Sequence, residues 1–259
     1  MMLALRKDSR LASPLHFRRI EVKFLIPDRI IPAFVDRIAP YTQPDPFLVE
    51  EGRGRTEYPV SSLYFDSLDL HSLYEKDAGL LSRRKVRLRT YEEIFSENAY
   101  AFLEIKRRHD FVVSKDRLSL SVGHLHSALP MSGLLNHLLE RVEASEEVTH
   151  EAHILQAWYN LQPTVLVTYN RQPFVGMQDR RFRITIDSSL RSVWKPHVLI
   201  GQRMHSRCHP NWSVLEMKCN HAIPAWFHEI IQDFQLERTS HSKYALSVEH
   251  LRELWEQHS

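Results

Sequence analysis

The chain has 259 residues, 43% hydrophobic and 25% charged, a balance that suits an ordinary soluble globular protein and excludes disordered, collagen-like and coiled-coil chains. A formal net charge of +2 excludes a broadly basic surface, so any positive site requires Lys and Arg to be segregated from Asp and Glu. The two cysteines, Cys208 and Cys219, exclude a disulfide framework, and neither a membrane-length apolar run nor a signal-peptide core is present, so a reduced cytoplasmic setting is expected.

In chain order, residues 1–16 read as a polar lead-in to a single domain over 17–257. A strand in HFRRIEVKFLI leads into PDRIIPAFVDRIAPY, where Ile30, Phe34 and Ile38 recur at helical spacing and Pro27 is placed to start a helix. TQPDPFLVEEGRGRTEYPV reads as a loop, SSLYFDS as a strand, and LDLHSLYEKDAG as a brief helix ending at Gly79. KVRLRTYEE, AYAFLEIKRR and FVVSKDRLSLS alternate with period 2 and suit an antiparallel meander. Two helical patterns fill 131–160. Alternation then resumes in TVLVTYNRQPFVG, RRFRITIDSSL and SVLEMKCN, and AIPAWFHEIIQDF and SKYALSVEHLRELWEQ close the chain as amphipathic helices.

Alternate strand residues face opposite ways, so Lys85, Arg87 and Arg89 share one face while Val86 and Leu88 share the other. The same sorting sets Glu21 and Lys23 against Val22 and Phe24, and Glu104, Lys106 and Arg108 against Leu103 and Ile105. It sets Arg181, Arg183 and Asp187 against Phe182, Ile184 and Ile186, and Glu216 and Lys218 against Leu215 and Met217. Lys115 and Arg117 face away from Leu118 and Leu120. A sheet with one wet face explains any single strand of this kind. Polar faces this rich in Arg and Lys, meeting around a lumen with only Glu21, Glu104, Asp187 and Glu216 as counter-charges, would repel one another unless a polyanion lay inside. A polyphosphate or a nucleoside triphosphate supplies that charge. Glycine is scarce, with seven in all, and no glycine-rich phosphate loop is present, so side chains would have to bind the phosphates.

Eight motifs occur in order: E-x-K (Glu21, Lys23), S-x-Y-F-D (Ser62 to Asp66), R-x-K-V-R-L-R-x-Y (Arg83 to Tyr91), L-E-I-K (Leu103 to Lys106), Y-N-R (Tyr169 to Arg171), R-x-T-x-D (Arg183 to Asp187), L-E-M-K (Leu215 to Lys218) and S-K-Y (Ser242 to Tyr244). Over about 17–256 they resemble the VTC domain, the polyphosphate polymerase module of the vacuolar transporter chaperone complex, within the CYTH-like triphosphate tunnel metalloenzymes. The resemblance implies an α+β fold, an antiparallel eight-stranded β-barrel tunnel with helices packed outside. It implies phosphate binding in catalysis by Lys23, Arg87, Arg89, Lys106, Arg171 and Lys243, with Tyr169 and Ser242 hydrogen-bonding the phosphates. Lys85, Lys115, Arg117, Arg183 and Lys218 are further lumen candidates. Glu216 is the implied ligand for Mg²⁺ or Mn²⁺, and Glu21 and Glu104 either orient neighbouring cations or add metal ligands.

The implied reaction moves the γ-phosphoryl group of ATP onto a growing polyphosphate, which needs positioning and charge neutralisation rather than a general base. An inorganic triphosphatase, with Glu21 or Glu104 activating water, and a non-catalytic polyphosphate or anion sensor are the alternatives. Nucleic acid is not an expected partner, since the pattern is enclosed and the net charge near zero. Zinc at His205, Cys208, His209, Cys219 and His221 is disfavoured by spacing. Trp158, Trp226 and Trp255, with Phe227 and Leu254, read as core by their helical spacing, and Ser62 to Asp66 as structural with Leu63 and Phe65 buried. Arg84 is out of phase with Arg87 and is expected to face outward. Arg84→Ala should therefore leave tripolyphosphate affinity close to wild type while Arg87→Ala weakens it, as titration calorimetry can check; equal losses would put the strand in the other phase.

Overall fold

A computed structural model describes residues 19–46, 48, 55–92, 97–109, 112–125, 133–142, 146–199, 206–220, 222–240 and 242–258. The lead-in over 1–16, together with His205 and His221, lies outside them. Ten strands form one antiparallel sheet: β1 (Arg19–Pro27), β2 (Thr42–Pro44), β3 (Tyr58–Asp66), β4 (Ser82–Thr90), β5 (Tyr100–His109), β6 (Val112–Ser121), β7 (Gln162–Gly176), β8 (Arg183–Trp194), β9 (Ser206–Arg207) and β10 (Trp212–Asn220). Among the described residues they are accompanied by the α-helices α1 (Ile31–Ile38), α2 (His71–Asp77), α3 (Leu134–Leu139), α4 (Glu146–Tyr159), α5 (Ala225–Asp233) and α6 (Lys243–His258). Gly79, at φ +67°, follows α2 in the left-handed conformation that glycine adopts without strain.

Eight strands run in one hydrogen-bonded path, β1-β10-β8-β7-β3-β4-β5-β6, with the two-residue β9 beside β8 and β2 beside β7. The expected antiparallel tunnel sheet is present. Its edge strands β1 and β6 are not paired with each other among the described residues, so the sheet curls round without closing by hydrogen bonds. β2 takes Thr42–Pro44 out of the segment read as a loop and pairs it with Phe174–Gly176. At the other end of the turn before β8, Arg181 falls outside the strand on which it was placed; it is exposed and pairs with Asp179 at 2.9 Å.

The apolar strand faces bury themselves under helices on the convex side. Leu63, Phe65, Val86, Leu88, Leu103 and Ile105 pack with Leu134, Leu135 and Leu138 of α3 and Ala152 and Leu155 of α4. Val22, Phe24, Ile184, Ile186, Leu215 and Met217 pack with Phe34 and Ile38 of α1 and Phe227 and Ile230 of α5. Arg84 and Arg107 lie on this side too, both bonded to Glu151 of α4. Each fully buried Leu, Ile or Phe contributes roughly 1.5–3 kcal/mol, so these two layers carry most of the fold's stability.

Helix α6 departs from the outside placement. Tyr244, Ala245 and Val248 pack on Val60, Tyr64, Val165, Val167, Tyr169 and Leu190, which belong to the inner face of β3, β7 and β8. A bulge makes this possible: the β7–β8 register shifts between Thr168 and Asn170, Ser189 takes φ +54°, and the phase of β8 reverses. Asp187 before the bulge and Leu190 after it therefore face the same side. α6 is fastened by Asp66, a fully buried carboxylate that accepts from the backbone N–H groups of Ser67 and Ser72, each at 2.9 Å, and from the Tyr244 hydroxyl. Within the S-x-Y-F-D segment Leu63, Phe65 and Asp66 are buried and structural as expected, whereas Ser62 and Tyr64 face the inner side and bond Arg89 and Arg87.

Two tryptophans expected in the core are on the surface. Trp158 is 72% exposed because the buried stripe of α4 runs through Val148, Ala152, Leu155 and Tyr159 and leaves it outside. Trp255 is 76% exposed, beyond the Tyr244–Val248–Leu251 stripe with which α6 meets the sheet. Trp226 does pack, stacked on Tyr41 with ring centroids 4.3 Å apart. Tyr244→Phe removes one donor from the buried Asp66 carboxylate and should cost about 1.5–3 kcal/mol, readable as a lower urea midpoint with an unchanged m-value.

Candidate functional site

The polar faces of the strands converge on one cavity of about 870 Å³. Lys23, Lys85, Arg87, Arg89, Lys106, Lys115, Arg117, Arg171, Arg183, Lys218 and Lys243 line it, with Glu21, Glu216, Tyr169 and Ser242. Every candidate taken from the sequence is therefore in its wall except Glu104, which is fully buried behind it. Eleven cations face four lining carboxylates, Glu21, Asp45, Glu92 and Glu216. The segregation that a net charge of +2 required has taken place inside the curl of the sheet.

Two buried carboxylates anchor most of this charge. Glu104 on β5 accepts from Arg87 Nε at 2.6 Å, Lys115 Nζ at 3.1 Å and Arg117 Nε at 2.8 Å, cations supplied by β4 and β6 on either side. Burial raises its pKa, but Arg87, Arg89, Lys115 and Arg117 outweigh that and hold the carboxyl well below the usual carboxylate range. Both oxygens are taken, so of the two roles expected for Glu104 the geometry fits the orienting one and does not fit a metal ligand. Asp187, likewise at 0% exposure, receives Arg171 Nε and Nη2 at 2.7 and 2.8 Å and Lys243 Nζ at 2.6 Å. Burial raises its pKa as well, and Arg171 and Lys243 bring it below the ordinary value. Asp187 thus ties the start of α6 to β7 and β8.

Hydroxyls set the remaining cations. Arg89 Nε donates to Ser62 at 2.9 Å, Arg87 Nη1 to the Tyr64 hydroxyl at 3.2 Å, and Lys85 Nζ to Ser242 at 3.4 Å. Lys85 also lies 4.9 Å from the centre of the Tyr244 ring, and Lys243 lies 5.1 Å from that of Tyr169. Arg183 sits at a more open position, paired with Asp45 at 3.8 Å.

Three of the cations, Lys85, Arg89 and Lys106, have no carboxylate within ion-pair distance among the described residues. Burial brings Lys85 down to about 8, with Lys106 and Lys23 adding to the effect against Tyr64 and Asp66. Lys106 is lowered by burial and by Lys23 and Arg87, against Glu21 and Glu216. Burial pushes the Tyr64 phenol up, but Arg87, Arg89 and Lys243 overcome it and pull the group to about 8. Such shifts are what crowded, desolvated cations produce when the matching anion is not part of the protein.

For a metal, the acidic donors are Glu216 and Glu21. Lys218 Nζ lies 2.5 Å from Glu216 and 3.8 Å from Glu21, and Lys23 Nζ lies 3.2 Å from Glu21. Burial raises the Glu216 pKa, but Lys218, Lys243 and Lys23 hold it well below the ordinary value, so it is a permanent anion. No group of three or more His, Cys, Asp or Glu side chains among the described residues could hold a metal by itself. The donor set fits a hard cation that takes one or two carboxylates and fills its sphere with substrate oxygens, as Mg²⁺ and Mn²⁺ do. Cys208 and Cys219 are buried in separate apolar clusters, which does not fit zinc.

The sequence reading missed an aromatic and hydroxyl component of the wall: Tyr58, Tyr64, Tyr91, Tyr100, Phe102, Thr185 and Tyr244. Strand phase was the signal for Tyr64, Tyr91 and Phe102, since they alternate in step with Ser62, Arg89 and Glu104 on the same strands.

The VTC domain family matches residues 18–252. No curated protein matches the sequence. Among solved structures, an adenylyl cyclase candidate from Hippeastrum with a dominant triphosphatase activity is similar with a TM-score of 0.50 at 15% identity, covering 90% of this chain and 96% of that one. A candidate adenylate cyclase from Bacillus halodurans is similar with a TM-score of 0.49 at 14% identity, covering 86% of this chain and 93% of that one. The Hippeastrum likeness shows a shared fold. No described helix is long and apolar enough to cross a membrane. With its motifs lining one cavity and the match spanning nearly all of the described residues, the chain belongs to the VTC domain family.

Proposed function

We propose that this chain is a metal-dependent phosphotransferase that moves the γ-phosphoryl group of ATP onto the end of a polyphosphate. The observation that supports it is the eleven-cation cavity, in which three cations have no carboxylate partner among the described residues and Lys85 is pushed to about 8. Lys23, Lys85, Arg87, Arg89, Lys106, Arg171 and Lys243 bind phosphoryl oxygens, with Tyr169 and Ser242 donating hydrogen bonds, while Lys115, Lys218 and Arg183 complete the basic wall. Glu216, with Glu21, would hold a divalent ion, which would neutralise charge on the triphosphate. A terminal oxygen of the acceptor chain forms a bond to the γ-phosphorus as the bond to the β–γ bridging oxygen breaks. That electron pair leaves with ADP, and the chain grows by one unit.

The attacking oxygen is already anionic, so no base is needed. Of the two carboxylates named for activating water in a hydrolase, Glu104 is held well below the ordinary range by surrounding cations and is not suited to accept a proton, which leaves Glu21 for that role. Purified protein with ATP and Mn²⁺ should yield phosphate chains resolvable by gel electrophoresis; orthophosphate alone would replace transfer with hydrolysis. Glu216→Gln should lower turnover by roughly 10²-fold or more while tripolyphosphate binding largely persists, whereas a sensor would have no turnover to lose.

Binding should also take up protons. In the open cavity Lys85 and Tyr64 each titrate near pH 8, and a bound polyanion favours the protonated form of both. Tripolyphosphate titrations at pH 8 in buffers of different ionisation enthalpy should therefore show net uptake, fading below about pH 7 where both groups are already protonated. Affinity should weaken as pH rises above 8. Proton release, or no pH dependence from 7 to 9, would remove Lys85 from the phosphate site.

A further inference from the structure

Arg117 is held, like Arg87 and Arg171, by a buried carboxylate, a tyrosine hydroxyl and an aromatic ring, but it is the most exposed of the three. Its Nε and Nη2 reach Glu104 Oε1 at 2.8 and 2.7 Å, and Nη2 also donates to the Tyr91 hydroxyl at 3.0 Å. Guanidinium N–H groups point outward in the plane of the group, so these bonds occupy its edge and fix its tilt. One face lies over Phe102, with Cζ 4.7 Å from the ring centre. The side chain is nonetheless 38% exposed and borders the cavity. Its charge is answered by the fully buried Glu104, its edge is engaged, and Cζ also lies 6.0 Å from the centre of the Tyr91 ring.

The surroundings suit a flat ligand. The Tyr91 and Phe102 rings are 5.9 Å apart, Tyr58 meets Tyr91 edge-on at 5.6 Å, and Tyr100, 54% exposed, lines the same end of the cavity. This aromatic group lies at the opposite end of β4 and β5 from Lys85 and Lys106, which pair with each other across the two strands. By register Arg117 lies opposite Glu104 and so level with Arg87, while Phe102 is level with Arg89, about 7 Å further along the strand.

We propose that Arg117, backed by Phe102 and steadied by Tyr91 and Glu104, is a stacking plate for the nucleobase of a nucleoside triphosphate. Arg117 was expected from the sequence to bind phosphate; the geometry gives it the base instead. Planar guanidinium and aromatic faces stack on any base, so the plate selects nucleotides over inorganic polyphosphates without strongly selecting among bases. The inference rests on the proposed nucleoside triphosphate donor and adds the subsite that would recognise it.

The test compares ATP, etheno-ATP and tripolyphosphate binding in the wild type, Arg117→Lys and Phe102→Leu. Arg117→Lys keeps a cation for Glu104 and removes the plane. Wild-type protein should quench etheno-ATP fluorescence, and the ratio of ATP to tripolyphosphate affinity should fall about fivefold or more in each variant. Tripolyphosphate affinity in the same samples reports whether the cavity is folded, and Arg117→Lys decides if Phe102→Leu does not fold. An unchanged ratio, no quenching, or equal loss of both ligands would overturn the plate while leaving a phosphate-binding tunnel in place. Wild-type protein that binds neither ATP nor tripolyphosphate would overturn the proposed function together with it.

Discussion

Everything in this molecule is arranged around a repulsion. Eleven cations crowd one cavity, and a sheet that curls them together works against their mutual charge. Two carboxylates at 0% exposure make the arrangement tolerable: Glu104 fixes Arg87, Lys115 and Arg117 across three neighbouring strands, and Asp187 fixes Arg171 and Lys243 across the sheet and α6. Because each carboxylate is surrounded by more positive charge than it cancels, the cations are oriented without being neutralised. Buried pairs of this kind add little net stability, and the convex apolar layers under α1, α3, α4 and α5 are what carry it. The concave side gives up stability for a fixed positive field.

Preorganisation follows from the same anchors. Phosphoryl transfer asks for charge placed beforehand around oxygens that gain or shift charge, in surroundings where water does not dilute it. Bidentate contact of Arg171 with Asp187, the Arg89–Ser62 bond and the Arg87–Tyr64 bond each remove freedom from a long side chain before any ligand arrives. Asp66 extends this fixing to α6, since its bond to Tyr244 sets the helix whose start presents Lys243, with Ser242 just before it. A substitution at Asp66 would thus reach the cavity through packing.

Much of the site was legible because strand phase is so simple a code. A period of two places Lys85, Arg87 and Arg89 together, and the same count on five other strands brought their candidates, all but Glu104, into one wall, while Tyr169, Arg171, Ser242 and Lys243 came from the family motifs. Three things were not legible. Glu104 reads the same as Glu21 or Glu216 in a one-letter pattern, and only its depth separates a strut from an exposed ligand. The bulge at Ser189 changes the phase of β8 without a glycine or proline to announce it. Helix amphipathicity shows that α6 has a buried stripe without saying which side of the sheet it covers, and it extends to Trp158 and Trp255 a burial that the sheet does not reach.

The central claim is that the cavity holds more positive charge than its own carboxylates answer and takes the balance from a polyphosphate. Thermal unfolding with increasing tripolyphosphate, against orthophosphate at equal ionic strength, addresses it most directly, since a ligand that binds only the folded state raises the midpoint by mass action. The account predicts a midpoint that climbs steadily with tripolyphosphate and moves far less with orthophosphate. A midpoint indifferent to both, or raised equally by both, would contradict it.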